Sequence, residues 1–199
     1  MNKNTIIDIA EKLNSLGVTW GVGGSYLLMI HELIDNPQDL DLWVSPDDMK
    51  KIRASFSNCI ELQTDIMLPP ELHYKILYKD IEVDFVACFK VKPNQYEFEY
   101  SINPDNIQKI KSKSGIDLPC TYLEDWYIVY RLLKRDDKAN LIKIFFKKNK
   151  LSSFIDVLQN NIENENSKLP RYITKDVQKL INDISQLTLL DYQPPVIFI

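Results

Sequence analysis

The chain has 199 residues, of which 45% are hydrophobic and 26% charged, as in a soluble globular protein. No run reaches the roughly 18 apolar residues that a membrane-spanning helix needs, and the first residues lead into an amphipathic helix rather than a secretory signal. The net charge of -4 argues against a dedicated nucleic-acid-binding protein. These features predict a cytoplasmic protein with no membrane association and no general DNA binding.

The hydrophobic spacing of the first ninety residues predicts that helices and strands alternate up to residue 62 and that two further strands follow. In chain order, the predicted elements are a helix at 4–16, a strand at 18–22, a helix at 26–34, a strand at 39–44, a helix at 46–56, and strands at 59–62, 73–78 and 81–89. Gly23-Gly24 permits a tight turn, and Ser45-Pro46 is typical of a helix N-cap and first helical residue. The two-residue link Lys79-Asp80 predicts a hairpin.

The rest of the chain changes from irregular to helical. Tyr96, Phe98 and Tyr100 alternate with acids as in an edge strand, and residues 103–117 are loop-like with some strand character. Thr121 and Glu124 form a capping box that predicts a helix start. The further predicted helices are 138–148, 151–163 and 174–185. These patterns predict a domain at 1–119 and a helical region at 120–199, whose apolar end, Val196 to Ile199, is expected to pack on the body or on a partner.

Asp39 and Asp41 carry the main chemical signal. Residues two apart on a strand share a face, so both carboxylates can hold one divalent cation. On the strand at 81–86, Glu82 and Asp84 also share a face, and Asp84 is the predicted third acid with Glu82 as the alternative. Three carboxylates on adjacent strands suit two Mg²⁺ ions, which stabilise the attacking and departing oxygens in phosphoryl chemistry. The carboxylate nearest an incoming hydroxyl could also accept its proton.

Other residues indicate anion binding. A helix that begins after Gly23-Gly24 would direct unpaired backbone N–H groups at an anion, with the Ser25 hydroxyl as an added donor. Arg131 and Arg135, predicted to lie one turn apart on one helix face, are candidates to bind a triphosphate. The alternatives are a plain helix cap for Ser25 and a solvated basic face for the arginines.

The ordered set Gly23-Gly24-Ser25, Asp39-Leu-Asp41 and Val83-Asp84-Phe85 resembles the nucleotidyltransferase superfamily related to DNA polymerase beta. The resemblance implies an α+β fold, with a mixed β-sheet flanked by helices and followed by a C-terminal helical region. It also implies that Gly23, Gly24 and Ser25 bind the nucleotide. Asp39, Asp41 and Asp84 would then bind the metal, and Asp84 would act as base.

Within that superfamily, the short chain resembles small bacterial antibiotic nucleotidyltransferases and those of abortive-infection or toxin–antitoxin systems. The implied activity is Mg²⁺-dependent transfer of NMP from an NTP to a hydroxyl of a small molecule, protein or RNA, with a catalytic core at 1–119. The alternative is a non-catalytic nucleotide-binding or toxin–antitoxin interaction module with the same fold. The expected partners are an NTP, a hydroxyl-bearing acceptor and, as a further option, a second copy or a partner protein.

The cysteines and histidines give no separate chemical signal. Cys59, Cys88 and Cys120 are odd in number and lack metal-ligand spacing, which favours reduced thiols. His31 and His73 are isolated in the sequence and are interpreted as structural or surface residues.

Overall fold

A computed structural model describes residues 3–63, 72–91, 98–102, 104–111, 117–149, 152–163 and 169–190. Their elements fall into two compact units, which we name the sheet unit, 3–91 and 98–123, and the helical unit, 124–190. In these ranges, no helix is both long and apolar enough to cross a membrane. The predicted packing of Val196 to Ile199 falls outside the described residues.

The sheet unit contains a mixed β-sheet with helices, as predicted. Its elements are α1 (Lys3–Ser15), β1 (Trp20–Val22), α2 (Gly24–Ile30), β2 (Asp39–Val44), α3 (Met49–Ser55), β3 (Ile60–Glu61), β4 (His73–Tyr78), β5 (Ile81–Val86), β6 (Phe89–Val91), β7 (Phe98–Tyr100), β8 (Ile107–Lys111) and β9 (Asp117–Thr121). The main sheet has the order β3-β4-β5-β2-β1-β9-β8, and β6 pairs with β7 in a separate ribbon. The pairs β1–β9 and β2–β5 are parallel, whereas the other pairs are antiparallel.

The centre of this sheet is held by alternating side chains. On β2, Leu40 and Leu42 are buried, as are Val83 and Phe85 on β5. Each such side chain contributes about 1.5–3 kcal/mol when it leaves water. Because the period of a strand is two, burial of these residues fixes the register and sends the acids between them to the other face.

The two-residue hairpin between β4 and β5 is confirmed. Lys79 and Asp80 have φ angles of 47° and 65°, and the strands on either side pair in antiparallel register. Positive φ at both central residues is the geometry of a type I′ turn, whose twist matches that of the strands. This turn therefore sets which residues of β4 lie beside those of β5.

One prediction for the region around residues 81–121 is wrong. The predicted strand at 81–89 is two strands, because β5 ends at Val86 and β6 starts at Phe89. The helix predicted from Thr121 and Glu124 begins at Leu123, and Thr121 is the last residue of β9. The Thr121 Oγ1 donates to the carbonyl of Val22 at 3.0 Å, which joins β9 to β1.

Two helix starts and one helix end also differ from the predictions. The helix predicted at 26–34 is α2, which begins at Gly24 and ends at Ile30, before Glu32 with a φ of 60°. Ser45 makes no side-chain cap, and the chain enters α3 through a 3₁₀ turn, Pro46–Asp48. In both places, the backbone changes direction without the side-chain hydrogen bond that the sequence pattern indicates.

The helical unit confirms the helical C-terminal region. Its helices are α4 (Leu123–Leu132, which starts one residue before the unit), α5 (Asp136–Asn149), α6 (Ser152–Glu163) and α7 (Arg171–Leu190). Apolar side chains at helical spacing are buried between them, namely Ile142, Phe146, Leu158, Ile173, Val177, Leu180 and Ile184. The ring centroids of Phe146 and Phe154 lie 4.4 Å apart, which joins α5 to α6.

Candidate active site

Three acids meet where β2 lies beside β5. Asp41 pairs in parallel register with Asp84, and Asp39 lies two residues earlier on the same face of β2. One carboxylate oxygen from each of Asp39, Asp41 and Asp84 lies within 4.8 Å of the others. Asp84 is buried, whereas the two acids of β2 are half-buried. The structure therefore brings the three predicted acids together, at a place that a cation can reach from solvent.

The donor set fits a hard divalent cation. Mg²⁺ binds carboxylate oxygens at about 2.0–2.1 Å, so two ligands on opposite sides of one ion are about 4 Å apart. The 4.8 Å limit for the three acids is close to that separation. An all-oxygen set of carboxylates favours Mg²⁺, Ca²⁺ or Mn²⁺ over the softer metals that prefer sulfur or imidazole.

Gly24 lies directly against Asp41. Its φ is 56°, and a Cβ atom built on it would lie 1.6 Å from Asp41 Oδ2. The amide of Gly23 also donates to the backbone carbonyl of Asp41 at 2.9 Å. The glycine turn therefore does more than allow a change of direction, because it leaves the space that the Asp41 carboxylate occupies.

Ser25 contacts the other acid of β2. Its Oγ donates to Asp39 Oδ1 at 3.0 Å, and the residue is buried in the first turn of α2. This hydrogen bond orients the Asp39 carboxylate. The predicted role of Ser25 in phosphate binding stays a prediction.

The chain is similar to solved structures of nucleotide-transferring enzymes. One is a Thermotoga maritima protein provisionally assigned as a nucleotidyltransferase, with 16% identity, a TM-score of 0.53, and coverage of 73% of this chain and 92% of that one. The lincosamide antibiotic adenylyltransferase LnuA, in its lincomycin-bound form, has 9% identity and a TM-score of 0.51, with coverage of 72% of this chain and 97% of that one. The enzyme ANT(2″)-Ia, in complex with adenylyl-2″-tobramycin, has 7% identity and a TM-score of 0.52, with coverage of 93% of this chain and 98% of that one.

This chain has the nucleotidyltransferase fold. No family model matches its sequence, and no curated protein is significantly similar to it. The shared nucleotidyltransferase fold therefore rests on the structure, and the roles of particular residues rest on the site geometry.

Sequence reasoning missed two residues of β4 that contact the acids of this nucleotidyltransferase fold. His73 Nε2 lies 2.6 Å from Asp84 Oδ1, with the side chains only 2% and 9% exposed. Lys75 Nζ lies 2.8 Å from Glu82 Oε2 and 3.4 Å from Asp84 Oδ2. The hydrogen bond to Glu82, followed by the charge of Asp84, raises the pKa of Lys75 above its ordinary value. The sequence had indicated a structural or surface residue, whereas the structure places His73 in contact with the third acid, Asp84.

A signal for these contacts was present in the sequence. A two-residue hairpin at Lys79-Asp80 pairs Tyr78 with Ile81, and stepping back along both strands pairs Lys75 with Asp84. His73 lies on the same face of β4 as Lys75, one diagonal position from Asp84. The predicted turn therefore determines the register of β4 and β5, which places His73 and Lys75 beside Asp84.

Glu82 was the alternative to Asp84. It shares a face of β5 with Asp84 and is aligned with Asp39, but it is exposed and bound by Lys75. The group of acids close enough to share a cation contains Asp84 and not Glu82. The geometry thus favours Asp84 as the third ligand.

Both predicted arginines lie in the helical unit, Arg131 on α4 and Arg135 after the end of that helix. Arg131, near the end of α4, pairs with Asp136 and also with Asp176 at 2.7 Å. Arg135 is exposed and follows α4, which ends at Leu132 before Lys134 with a φ of 58°. The prediction that Arg131 and Arg135 share one helix face is therefore wrong. Their binding of a nucleotide stays a prediction.

Proposed function

We propose that this protein transfers a nucleoside monophosphate from an NTP to a hydroxyl group of a small molecule, with Mg²⁺ as cofactor. The observation that carries the proposal is the meeting of Asp39, Asp41 and Asp84 within 4.8 Å on two parallel strands. Its support is the nucleotidyltransferase fold, shared with enzymes that adenylate antibiotics.

The acceptor class is the finer part of the proposal. The sequence is compatible with a small molecule, a protein or an RNA as acceptor. Two solved structures with this fold were determined with lincomycin and with adenylyl-2″-tobramycin, both of which are small molecules. We therefore place a small hydroxyl-bearing molecule first.

In the proposed reaction, Asp39, Asp41 and Asp84 hold the metal. Bound Mg²⁺, with two ions expected, would neutralise charge on the phosphates and on the attacking and departing oxygens. Asp84 accepts the proton of the acceptor hydroxyl, while Ser25 orients Asp39 through the 3.0 Å hydrogen bond.

The nucleotide itself requires further contacts. We assign Gly23, Gly24 and Ser25 to the nucleotide, since a glycine turn lets phosphate approach the backbone closely. Arg131 and Arg135 are the proposed cationic partners of the triphosphate. The residues up to 119 would form the catalytic core, and acceptor recognition is assigned to the helical region, 120–199.

The rival function is a non-catalytic nucleotide-binding or toxin–antitoxin module. A module released from catalysis has no chemical need for three acids at one point. The close fit between Gly24 and Asp41 also favours a site in which the carboxylate position matters.

The direct test is incubation with ATP or GTP carrying a labelled α-phosphate, with Mg²⁺, against lincomycin, tobramycin and a fractionated cell extract. We expect label in a small-molecule fraction, and no label without Mg²⁺. Label in the RNA or protein fraction instead would overturn the acceptor class while it supports nucleotidyl transfer. If no fraction is labelled and neither nucleotide raises the unfolding midpoint, which ligand binding to the native state must do, the proposed function is wrong.

A further inference from the structure

His73 is a buried histidine that contacts one of the three acids through its ring. Its side chain is 2% exposed, and Nε2 lies 2.6 Å from Asp84 Oδ1. A carboxylate oxygen accepts hydrogen bonds, so this contact assigns the ring N–H to Nε2, which donates a hydrogen bond to Asp84 Oδ1. The other nitrogen, Nδ1, is buried with no hydrogen-bond partner among the residues that the structure describes.

That second nitrogen argues against a role in packing alone. A buried polar atom without a partner destabilises the folded state, and an apolar ring of similar size would avoid the penalty. A histidine here is therefore explained by the hydrogen bond that its ring donates to Asp84.

The backbone of His73 is held by a residue of α3. Arg53 Nη2, on α3, donates to the carbonyl oxygen of His73 at 2.7 Å, while Arg53 Nη1 pairs with Glu61 at 3.0 Å. The guanidinium also lies 4.3 Å from the centroid of the Tyr74 ring. These contacts fix the start of β4, and with it the position from which the imidazole reaches Asp84.

We propose that His73 is a positioning residue, which fixes the Asp84 carboxylate for metal binding and for acceptance of the proton from the acceptor hydroxyl. Its neighbour Lys75 approaches the other oxygen, Oδ2, at 3.4 Å, so both oxygens of Asp84 are held from the same strand. A short hydrogen bond to one oxygen restrains rotation of the carboxylate away from the shared cation position. The inference rests on the proposed function, because it assigns a purpose to the third ligand of that site.

The test measures Mn²⁺ binding by the electron paramagnetic resonance signal of the free ion, a readout that needs no turnover. Groups that hydrogen-bond to metal ligands change affinity about 10–100-fold when they are removed. We expect His73→Phe and His73→Met to weaken Mn²⁺ binding by about tenfold or more. His73→Gln should recover most of the loss, because its amide N–H can lie near the former Nε2.

The matched control is His31→Phe, the same substitution at the other histidine of the chain. His31 follows the last residue of α2, at the opposite end of that helix from Ser25. We expect this variant to bind Mn²⁺ like the wild type. Metal-free unfolding midpoints of all variants separate a change in the site from a change in folding.

A double-mutant comparison makes the assignment specific. If His73 acts through Asp84, then His73→Phe should weaken Mn²⁺ binding no further when Asp84→Ala is already present, because alanine leaves no carboxylate for His73 to position. Equal losses in both backgrounds would overturn the inference, and so would wild-type Mn²⁺ affinity in a folded Phe or Met variant. If the wild type binds no Mn²⁺, the metal-dependent function falls and the inference falls with it.

Discussion

Each acid of β2 lies against a residue of the glycine turn, Asp41 against Gly24 and Asp39 against Ser25. The sequence predicted that the two acids bind metal and that the turn binds phosphate. The structure adds a second reason for glycine at position 24, since the Asp41 carboxylate occupies the space that a side chain there would fill. At the scale of single residues, the turn and the acid strand thus act as one packed unit.

Replacing Gly24 by alanine should damage the site more than the same change at Gly17. Both residues have positive φ, 56° and 61°, so alanine meets similar backbone strain of about 1–2 kcal/mol at each. Only at Gly24 would the new Cβ overlap Asp41, because nothing lies within 4 Å of a Cβ at Gly17. We expect Gly17→Ala to lower the free energy of unfolding and keep Mn²⁺ binding, whereas Gly24→Ala should also abolish that binding. Equal Mn²⁺ affinity in the two variants would contradict this account.

Neutralising Asp39 should remove activity without unfolding the protein. Asn keeps the shape of the side chain, and its carbonyl oxygen can still accept the hydrogen bond from Ser25. Loss of a charged metal ligand removes several kcal/mol of transition-state stabilisation, so kcat should fall about 100-fold or more. The control is Asp47→Asn, at an exposed acid of the 3₁₀ turn, which should retain kcat. The measurement is the rate of nucleotidyl transfer at saturating Mg²⁺, and a fall of less than tenfold at Asp39 would count against its role.

At the scale of elements, strands in which apolar and polar residues alternate were predicted from the sequence, whereas a strand with residues typical of turns was missed. The acid strands β2 and β5 were predicted from apolar residues at every second position. By contrast, β9 was missed because Pro119 lacks an N–H group and normally argues against an inner strand, although β9 lies between β1 and β8. The hydroxyl of Thr121, the last residue of β9, donates to the carbonyl of Val22 on β1, a contact that local sequence cannot reveal.

The hairpin between β4 and β5 gives a prediction for stability. Asp80 has a φ of 65°, which strains an L-residue but not glycine. Asp80→Gly should therefore raise the free energy of unfolding by up to about 1 kcal/mol, as relief of strain in a type I′ turn exceeds the added freedom of the unfolded chain. Asp35→Gly is the control, at another exposed aspartate for which no positive φ occurs, and it should be neutral or destabilising. Urea unfolding measures both, and a less stable Asp80→Gly variant would refute the strain argument.

At the scale of the whole molecule, the order of elements and the acid motif were enough to predict the α+β class and the helical C-terminal region. The electrostatic surroundings of the basic residues were not predictable. Arg131 was expected to be available to phosphate, but Asp176, on α7 and far away in sequence, pairs with its guanidinium at 2.7 Å. Likewise, the end of α4 at Leu132 separates Arg135 from the helix that spacing had indicated.

The buried carboxyl of Glu124 should shape the pH dependence of the stability of the whole protein. Burial, with a smaller contribution from the charge of Asp125, raises its pKa from 4.5 to about 7. Between these pH values, the unfolded chain releases the proton that the folded protein keeps, so the free energy of unfolding falls as pH rises from 4.5 to 7. Above pH 7, both states are ionised and the loss, about 3 kcal/mol for a shift of this size, is complete.

Glu124→Gln isolates this effect, because the amide has a similar shape and does not titrate. We expect the variant to exceed the wild type in stability at pH 8 by about 3 kcal/mol more than it does at pH 4.5, as measured by urea unfolding at each pH. The pKa of His31 is lowered by burial, which acts in the opposite direction below pH 6.5, but this contribution cancels because both proteins contain His31. A difference between variant and wild type that stays constant from pH 4.5 to 8 would mean that folding does not raise the pKa of Glu124.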